Sequence, residues 1–562
     1  MNEQDYEEEM QKRVLDSWPE GLSKAATYPF GEVPLTEYLR RRAVETPRKT
    51  CINYYGYELS FAELYDRSQR VAAYLRSKGV STGDRVAVYL PNCPQFIIAF
   101  YGILAAGAVH VPVNPMFKEH ELRHELEDSG AVAVITLETL YDSMSQVLAG
   151  VETIVTTSLS DYIVEHPTLP LHPDLKTAKL HALPTDDWVT EVQTVAPLHD
   201  DYSSLDTLAA LNYTGGTTGM PKGCMHTQRN MLYTMANSYV YNYNLSEDDV
   251  RLGYMPVFWI AGENAGVLMP VFSGATLILL YRWDKEAVFQ AIETYKVTSF
   301  GGVTDNIVQL MEDEAFHNRD LSSLTMTTVS SFIKKVTKDY RERWFKATGT
   351  IMRETSFGMT ETHTSDTFTQ GMQTRHFDLE SRPIFVGLPM PGTKVKIVDF
   401  ETKNRLPLEQ EGEIAISTPS LMKGYWGKDE TFGEWFYTGD IGVMSEAGYL
   451  HYIGRKKDML KVNGMSVFPA ELEHIISRHE HVNACAVVGK VDDEKGQIPV
   501  AFIQLRSRTT QTQMKKFLIE NLSGYKVPEV ILVDEMPLTT TGKIKKEVLR
   551  KRLEKENNHA RH

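Results

Sequence analysis

Tyr213-Thr214-Gly215-Gly216-Thr217-Thr218-Gly219-Met220-Pro221-Lys222-Gly223 is the stretch on which the reading of this chain turns. Gly215, Gly216 and Gly219 carry no Cβ, so the backbone can turn its N–H groups toward phosphate oxygens at close range. Thr214, Thr217 and Thr218 add hydroxyl donors, and Lys222 adds a point charge. The segment is not a Walker A loop. Pro221 precedes the lysine, and Gly223 stands where a Ser or Thr would face magnesium. The expectation is a phosphate cradle of a different kind.

Around this loop, strand-like and helix-like patterns alternate. Ser60-Phe61-Ala62-Glu63 has capping-box spacing, and the helical pattern after it stops at Gly79. Arg85 to Leu90, Ala131 to Thr136 and Ala275 to Leu280 are short apolar runs suited to buried strands. Such alternation implies an α/β class with helices covering sheets. Lys394 to Asp399 and Gly412 to Ser417 read as strands with no helix between them, which marks a β-rich subdomain at about 385–450. After Gly454 the composition shifts again. Pro469 opens a helix with Leu472, Ile475 and Ile476 on one face, and strand-like runs follow at Ala484–Val488, Val500–Leu505 and Val530–Val533. The expected division is residues 1–456 and a small α/β domain at 457–562, with the basic stretch from Lys543 as a solvated helix.

The chain has 562 residues, 42% of them hydrophobic, and a net charge of −15. An acidic balance of this size argues against a general nucleic-acid binder. The 4 cysteines lie far apart with no CxxC spacing, so neither a zinc site nor a disulfide framework is signalled. The N-terminus, MNEQDYEEEM, is acidic and lacks the apolar core of a secretory signal. The longest apolar region, Val267 to Leu280, is broken by Pro270 and Gly274 and is shorter than the roughly 20 residues of a membrane helix. A cytoplasmic protein with no stable membrane insertion is the expectation.

Four further motifs follow in order: Ser356-Phe357-Gly358-Met359-Thr360-Glu361-Thr362, Tyr437-Thr438-Gly439-Asp440, GRKKDMLKVNGMSVFPAELE over residues 454–473, and Pro537-Leu538-Thr539-Thr540-Thr541-Gly542-Lys543-Ile544. Together with the Gly/Thr loop they resemble the adenylate-forming (AMP-binding) superfamily, which includes acyl-CoA synthetases, and the likeness runs over about residues 35–550. The resemblance implies a large N-terminal domain of helix-covered sheets and a small mobile C-terminal lid domain. Its implied function is an ATP-dependent acid–CoA ligase that forms an acyl-adenylate and then a thioester.

Residue by residue, the resemblance implies that the loop from Thr214 through Gly215, Gly216, Thr217, Thr218 and Gly219 to Lys222 holds the ATP phosphates. Ser356, Phe357, Gly358, Met359 and Thr360 would line the AMP site, with Phe357 stacked on adenine and Thr360 at the α-phosphate. Glu361 and Thr214 would hold Mg2+, and Asp440 and Arg455 would grip the ribose. One carboxylate with two acceptor oxygens suits a vicinal diol. Lys457 would be the hinge, Gly464 would line the coenzyme A tunnel, and Lys543 would bridge the attacking carboxylate and the α-phosphate. Thr214, Glu361 and Lys543 are the implied catalytic set.

The acyl pocket is expected to use Trp259, Glu263, Phe332 and Gly358. Many relatives have histidine at the position of Trp259. Glu263 is unusual there, since an unpaired buried carboxylate costs several kcal/mol, order of magnitude. It must face solvent or meet a polar or cationic substrate. Phe332, in Ser330-Ser331-Phe332-Ile333-Lys334-Lys335, fills volume that a glycine leaves open, which favours a short-to-medium or polar acid. The partners implied are a small-molecule acid, ATP and CoA, with a homodimer as the candidate assembly. Two alternatives stay open: an adenylating enzyme that passes the acyl group to a carrier protein or amine, and a catalytically silent nucleotide sensor.

Overall fold

Arg85–Tyr89 forms a strand at the centre of a seven-stranded sheet. In the computed structural model, which describes residues 3–180, 183–214, 220–354, 357–381, 384–430, 432–463, 465–492, 495–539 and 542–560, four sheets organise the chain. The first sheet runs in the order Asp186–Asp187, Thr153–Thr157, Ala133–Leu137, Arg85–Tyr89, Val109–Pro112, Leu208–Tyr213 and Gly223–Thr227. All its neighbours are parallel except the last pair, an antiparallel hairpin. Its central strands are apolar along their length and buried, as a parallel sheet covered on both faces requires.

The second seven-stranded sheet repeats this plan. Met352–Glu354, Met326–Ser330, Ser299–Val303, Val250–Gly253, Thr276–Leu279 and Thr50–Tyr54 are parallel, and Tyr57–Ser60 closes it as an antiparallel hairpin. The helix Phe61–Ser77 begins with the expected capping box, Ser60 Oγ accepting from Glu63 N and Glu63 Oε2 accepting from Ser60 N. It packs on Pro94–Ala105, every residue of which is buried. Gly102 permits this approach: a Cβ there would stand 2.6 Å from Val71 Cβ. The apolar run at Val267 to Leu280 divides into buried helical turns and the strand Thr276–Leu279. Among the described residues, no helix is long and apolar enough to cross a membrane.

The β-rich part is a six-stranded antiparallel sheet from Thr367–Phe368 to Leu450–Arg455, wider at both ends than the 385–450 expected. The acidic N-terminus folds onto it as the helix Glu3–Asp16. Tyr6 and Met10 are buried against Val395, Ile397, Ile414 and Ile416, and Glu7 and Glu3 pair with Lys394 and Lys396. The last sheet is built from Leu460–Val462, Met465–Val467, Val482–Asp492, Gly496–Leu505 and Glu529–Val533. The final helix, Lys546–Ala560, corrects the expectation of a solvated tail. Leu549 and Leu553 are buried against Ala486, Val488, Val500 and Phe502, so its apolar stripe completes the core of this sheet.

Candidate active site

The hairpin that ends the first sheet carries the Gly/Thr loop. Thr214 N donates to Lys222 O at 2.9 Å and Lys222 N to Thr214 Oγ1 at 3.2 Å, which pins the neck of the loop. Gly215 to Gly219 lie outside the described residues, as do Ser356 and Gly464. Residues 423–426 lie along the edge of Gly223–Thr227, with Met225 N donating to Gly424 O and Trp426 N to Gly223 O. This register brings Tyr425 under Lys222, whose Nζ stands 4.4 Å from the ring centroid and 3.8 Å from Glu430.

Tyr425 OH also donates to Glu361 Oε1 at 2.9 Å. Glu361 sits in a tight turn, Thr360–Thr362, set on a buried polar platform. His226 Nε2 is 2.8 Å from Thr360 O, the Thr362 hydroxyl bonds Asp366, and the His226 and His363 rings meet at 4.9 Å. Burial lowers His226 to about 4, drives His363 well below its usual value and raises Asp366 to about 8. At neutral pH the uncharged form is therefore favoured for all three. Gly358 is the tightest point beneath it, since a Cβ there would stand 1.9 Å from Thr364 O. Met359 is buried with Cys224, Met422 and Phe436, and half-buried Phe357 lies 6.1 Å from the Tyr452 ring.

Asp440 and Arg455 face each other across an antiparallel pair, Oδ1 lying 2.8 Å from Nε. Asp440 is 1% exposed, and burial raises it to about 6 despite Arg455; Glu361 adds to the rise. Lys457 stands in the exposed turn Lys456–Asp458 that leaves this strand, and its charge is felt at Asp440. Lys543 is held on a tight loop by Thr539 N to Lys543 O at 2.7 Å and Lys543 N to Thr539 Oγ1 at 3.0 Å. Loss of water, then the like charge of Arg455, lowers its pKa. Glu361, Asp440 and Arg455 thus lie within one another's fields, and Lys543 lies within that of Arg455.

A cavity of about 810 Å3 leads away from the lysine loop, with Leu538, Gly542 and Phe332 at that end. Its walls include Tyr254, Phe258, Trp259 and Trp283, with Asp174 paired to Arg282 and with Glu138 and Asp305 also in the lining. Of the acyl-pocket residues expected from sequence, Trp259 and Phe332 line this cavity. Glu263 and Gly358 do not. Glu263 is fully buried one helical turn behind Trp259, its Oε2 3.5 Å from His110 Nε2. It therefore neither faces solvent nor reaches a substrate in this cavity. His110 in turn is boxed by the edges of Phe96 and Phe100.

Sequence reading missed Tyr425, Glu430 and the His226–His363–Asp366 platform. Tyr425, Glu430 and His226 are brought to the site by pairing across long sequence separations, while His363 and Asp366 lie just past the Ser356–Thr362 motif. A Tyr or His alone in a chain carries no mark of such a role.

Residues 39–426 match the model of the AMP-binding enzyme family, and residues 471–543 match the AMP-binding enzyme C-terminal domain. The chain is 32% identical, over 98% of its length and 99% of the relative's, to a protein named long-chain-fatty-acid–CoA ligase from Bacillus subtilis (strain 168). It is 30% identical, over 92% of each chain, to 4-coumarate–CoA ligase 3 from Oryza sativa subsp. japonica. The solved anthranilate CoA ligase AuaEII, in complex with anthranoyl-AMP, superposes with a TM-score of 0.80 at 25% identity, covering 93% of this chain and 98% of that one. On these matches over most of its length, this chain belongs to the AMP-binding enzyme family.

Proposed function

We propose that this chain, an AMP-forming acid–CoA ligase, acts on a short-to-medium or polar carboxylic acid. The observation that carries the reading is the grouping of Glu361, Asp440 and Arg455, with Lys543 beside Arg455 on a loop whose Leu538 and Gly542 line an aromatic-walled cavity. In the first half-reaction a carboxylate oxygen attacks the α-phosphorus of ATP and the bond to pyrophosphate breaks. Lys543 and Arg455 offset the repulsion between two anions, and the Thr214–Lys222 loop holds the leaving group; positioning and charge lower the barrier. Asp440 accepts from the ribose hydroxyls. In the second half-reaction the thiol of CoA attacks the acyl carbonyl and the bond to AMP breaks.

Magnesium fits the donor set. Glu361 offers a hard oxygen ligand steadied by the Tyr425 hydroxyl, and magnesium is commonly held by one or two carboxylates together with substrate phosphates. It would neutralise phosphate charge there. Among the described residues no group of three or more His, Cys, Asp or Glu could hold a metal without a nucleotide.

The C-terminal residues from Lys457 onward form the moving part in this reading, with Lys457 as the hinge and Gly464 replacing Lys543 for the thiol step. The charged Glu138, Asp174, Arg282 and Asp305 in the cavity lining and the bulk of Phe332 support a compact or polar acid over a long alkyl chain. The test is CoA-dependent AMP release across aliphatic acids of increasing length, aromatic acids and quaternary-ammonium acids. Turnover should peak at short, aromatic or polar members. A steady rise to chains of sixteen or more carbons overturns the substrate assignment, and adenylation without CoA dependence overturns the acceptor.

A further inference from the structure

The loop at residues 330–335 is held at several points. Ser331 N donates to Glu354 Oε1 at 3.1 Å, and Ser331 Oγ is 3.2 Å from the Thr304 hydroxyl. Lys335 Nζ donates to Ser331 O at 3.0 Å, and Lys334 N reaches the Asp305 carboxylate at 3.2 Å. These bonds fix Phe332 at the end of the cavity where Leu538 and Gly542, from the lysine loop, form the facing wall. Lys543 Nζ stands 5.3 Å from the centroid of the Phe332 ring. Among the described residues no carboxylate pairs with that ammonium, and its charged neighbour is the like-charged Arg455.

We infer that the Phe332 ring is the docking face that holds Lys543 in its adenylate-forming position. The inference rests on the reading of Lys543 as the mobile adenylation lysine. An ammonium brought beside Arg455 before substrate arrives needs a counterweight. A carboxylate there would hold it tightly and compete with the acid substrate for it. An aromatic face attracts a cation through its quadrupole, offers no anion, and holds weakly enough to let go. Phe332 is thus a positioning residue for Lys543 and bears on the first half-reaction alone.

The test separates the half-reactions in full-length protein, with octanoate and octanoyl-adenylate as one probe pair and cinnamate and cinnamoyl-adenylate as the other. Phe332→Leu keeps an apolar wall and removes the ring face. The ratio of adenylation rate to thioester-forming rate should fall by about 3- to 10-fold, the range of one partly desolvated cation–π contact. Phe332→Tyr, which keeps the face, should restore the ratio. An unchanged ratio with Leu, whether both rates stay or both fall together, overturns the inference; the second pattern would make Phe332 only part of the acyl wall or of the fold. Lys543→Ala runs alongside. If it too leaves the ratio unchanged, the reading of Lys543 fails. If it lowers the ratio and Phe332→Leu does not, only the docking role fails.

Discussion

Asp440 and Glu263 are both carboxylates sealed from water, at 1% and 0% exposure, and each lies beside a nitrogen-bearing side chain. Asp440 lies 2.8 Å from Arg455, which is itself open to solvent on the nucleotide face. Glu263 lies 3.5 Å from His110, which is as buried as its partner, and no hydrogen bond reaches any of the four polar atoms of the two groups among the described residues. In the function proposed above, a ribose diol beside the first pair would supply the donors it lacks. The second is closed, because the cavity ends one helical turn short of it. Burial alone does not make a carboxylate functional. What distinguishes Asp440 is a partner, Arg455, that is itself open to solvent.

The largest effect should come from the cation that completes the nucleotide face. Lys543→Ala is expected to slow adenylate formation by about 10²–10³-fold, the scale of losing one stabiliser of developing charge. Thioester formation from supplied acyl-adenylate should stay within a few-fold. Acid-dependent pyrophosphate exchange and single-turnover thiolation measure the two steps. An equal loss in both would make the nucleotide face as closed to exchange as the core pair, and the contrast would disappear.

How legible each region was in sequence follows from the same contrast. The nucleotide face is written in short contiguous motifs, because loops and strand ends place their own side chains. Thr214 and Lys222 pin one hairpin and Thr539 and Lys543 another, so a few adjacent residues suffice to recognise them. The capping box at Ser60 and the run at Arg85 were readable for the same local reason. The pair His110 and Glu263 was not, since its members come from a central strand and a helix far apart in the chain. Glu263 read singly admitted only solvent or substrate as its partner. The final helix was misjudged because its charged residues dominate its composition while Leu549 and Leu553, one turn apart, carry its packing.

An effect of intermediate size tests the closed pair. Glu263→Leu alone removes the polar group beside the buried His110 ring and should lower stability by about 1–3 kcal/mol. Replacing both, with Glu263→Leu and His110→Phe, should recover that loss or exceed it, since apolar groups of similar volume often match or outdo a buried pair. Urea unfolding midpoints measure both. KM for the acid should move little in either variant, because neither side chain lines the cavity. A large change in acid KM with unchanged stability would mean that the pair belongs to the acyl site after all.

The smallest effect is the most discriminating, because it should act in two directions at once. Asp440→Asn removes a charge that burial opposes in the absence of nucleotide and that the ribose hydroxyls need in its presence. ATP KM should rise by about 10-fold, the scale of a lost charge-assisted hydrogen bond. The ligand-free variant should be more stable than the parent, by about 1–2 kcal/mol at pH 8. Asp440 is raised from 3.8 to about 6 in the folded chain, so the folded state binds its proton more tightly than the unfolded one does. The parent therefore gains stability as pH falls from about 7 toward 4, and the advantage of the variant should shrink over that window and vanish below it. ATP affinity of the parent should weaken over the same window as the carboxylate protonates. A variant less stable than the parent at pH 8 would mean that Asp440 and Arg455 already satisfy one another, and the nucleotide face would then be as self-contained as the core pair it is compared with.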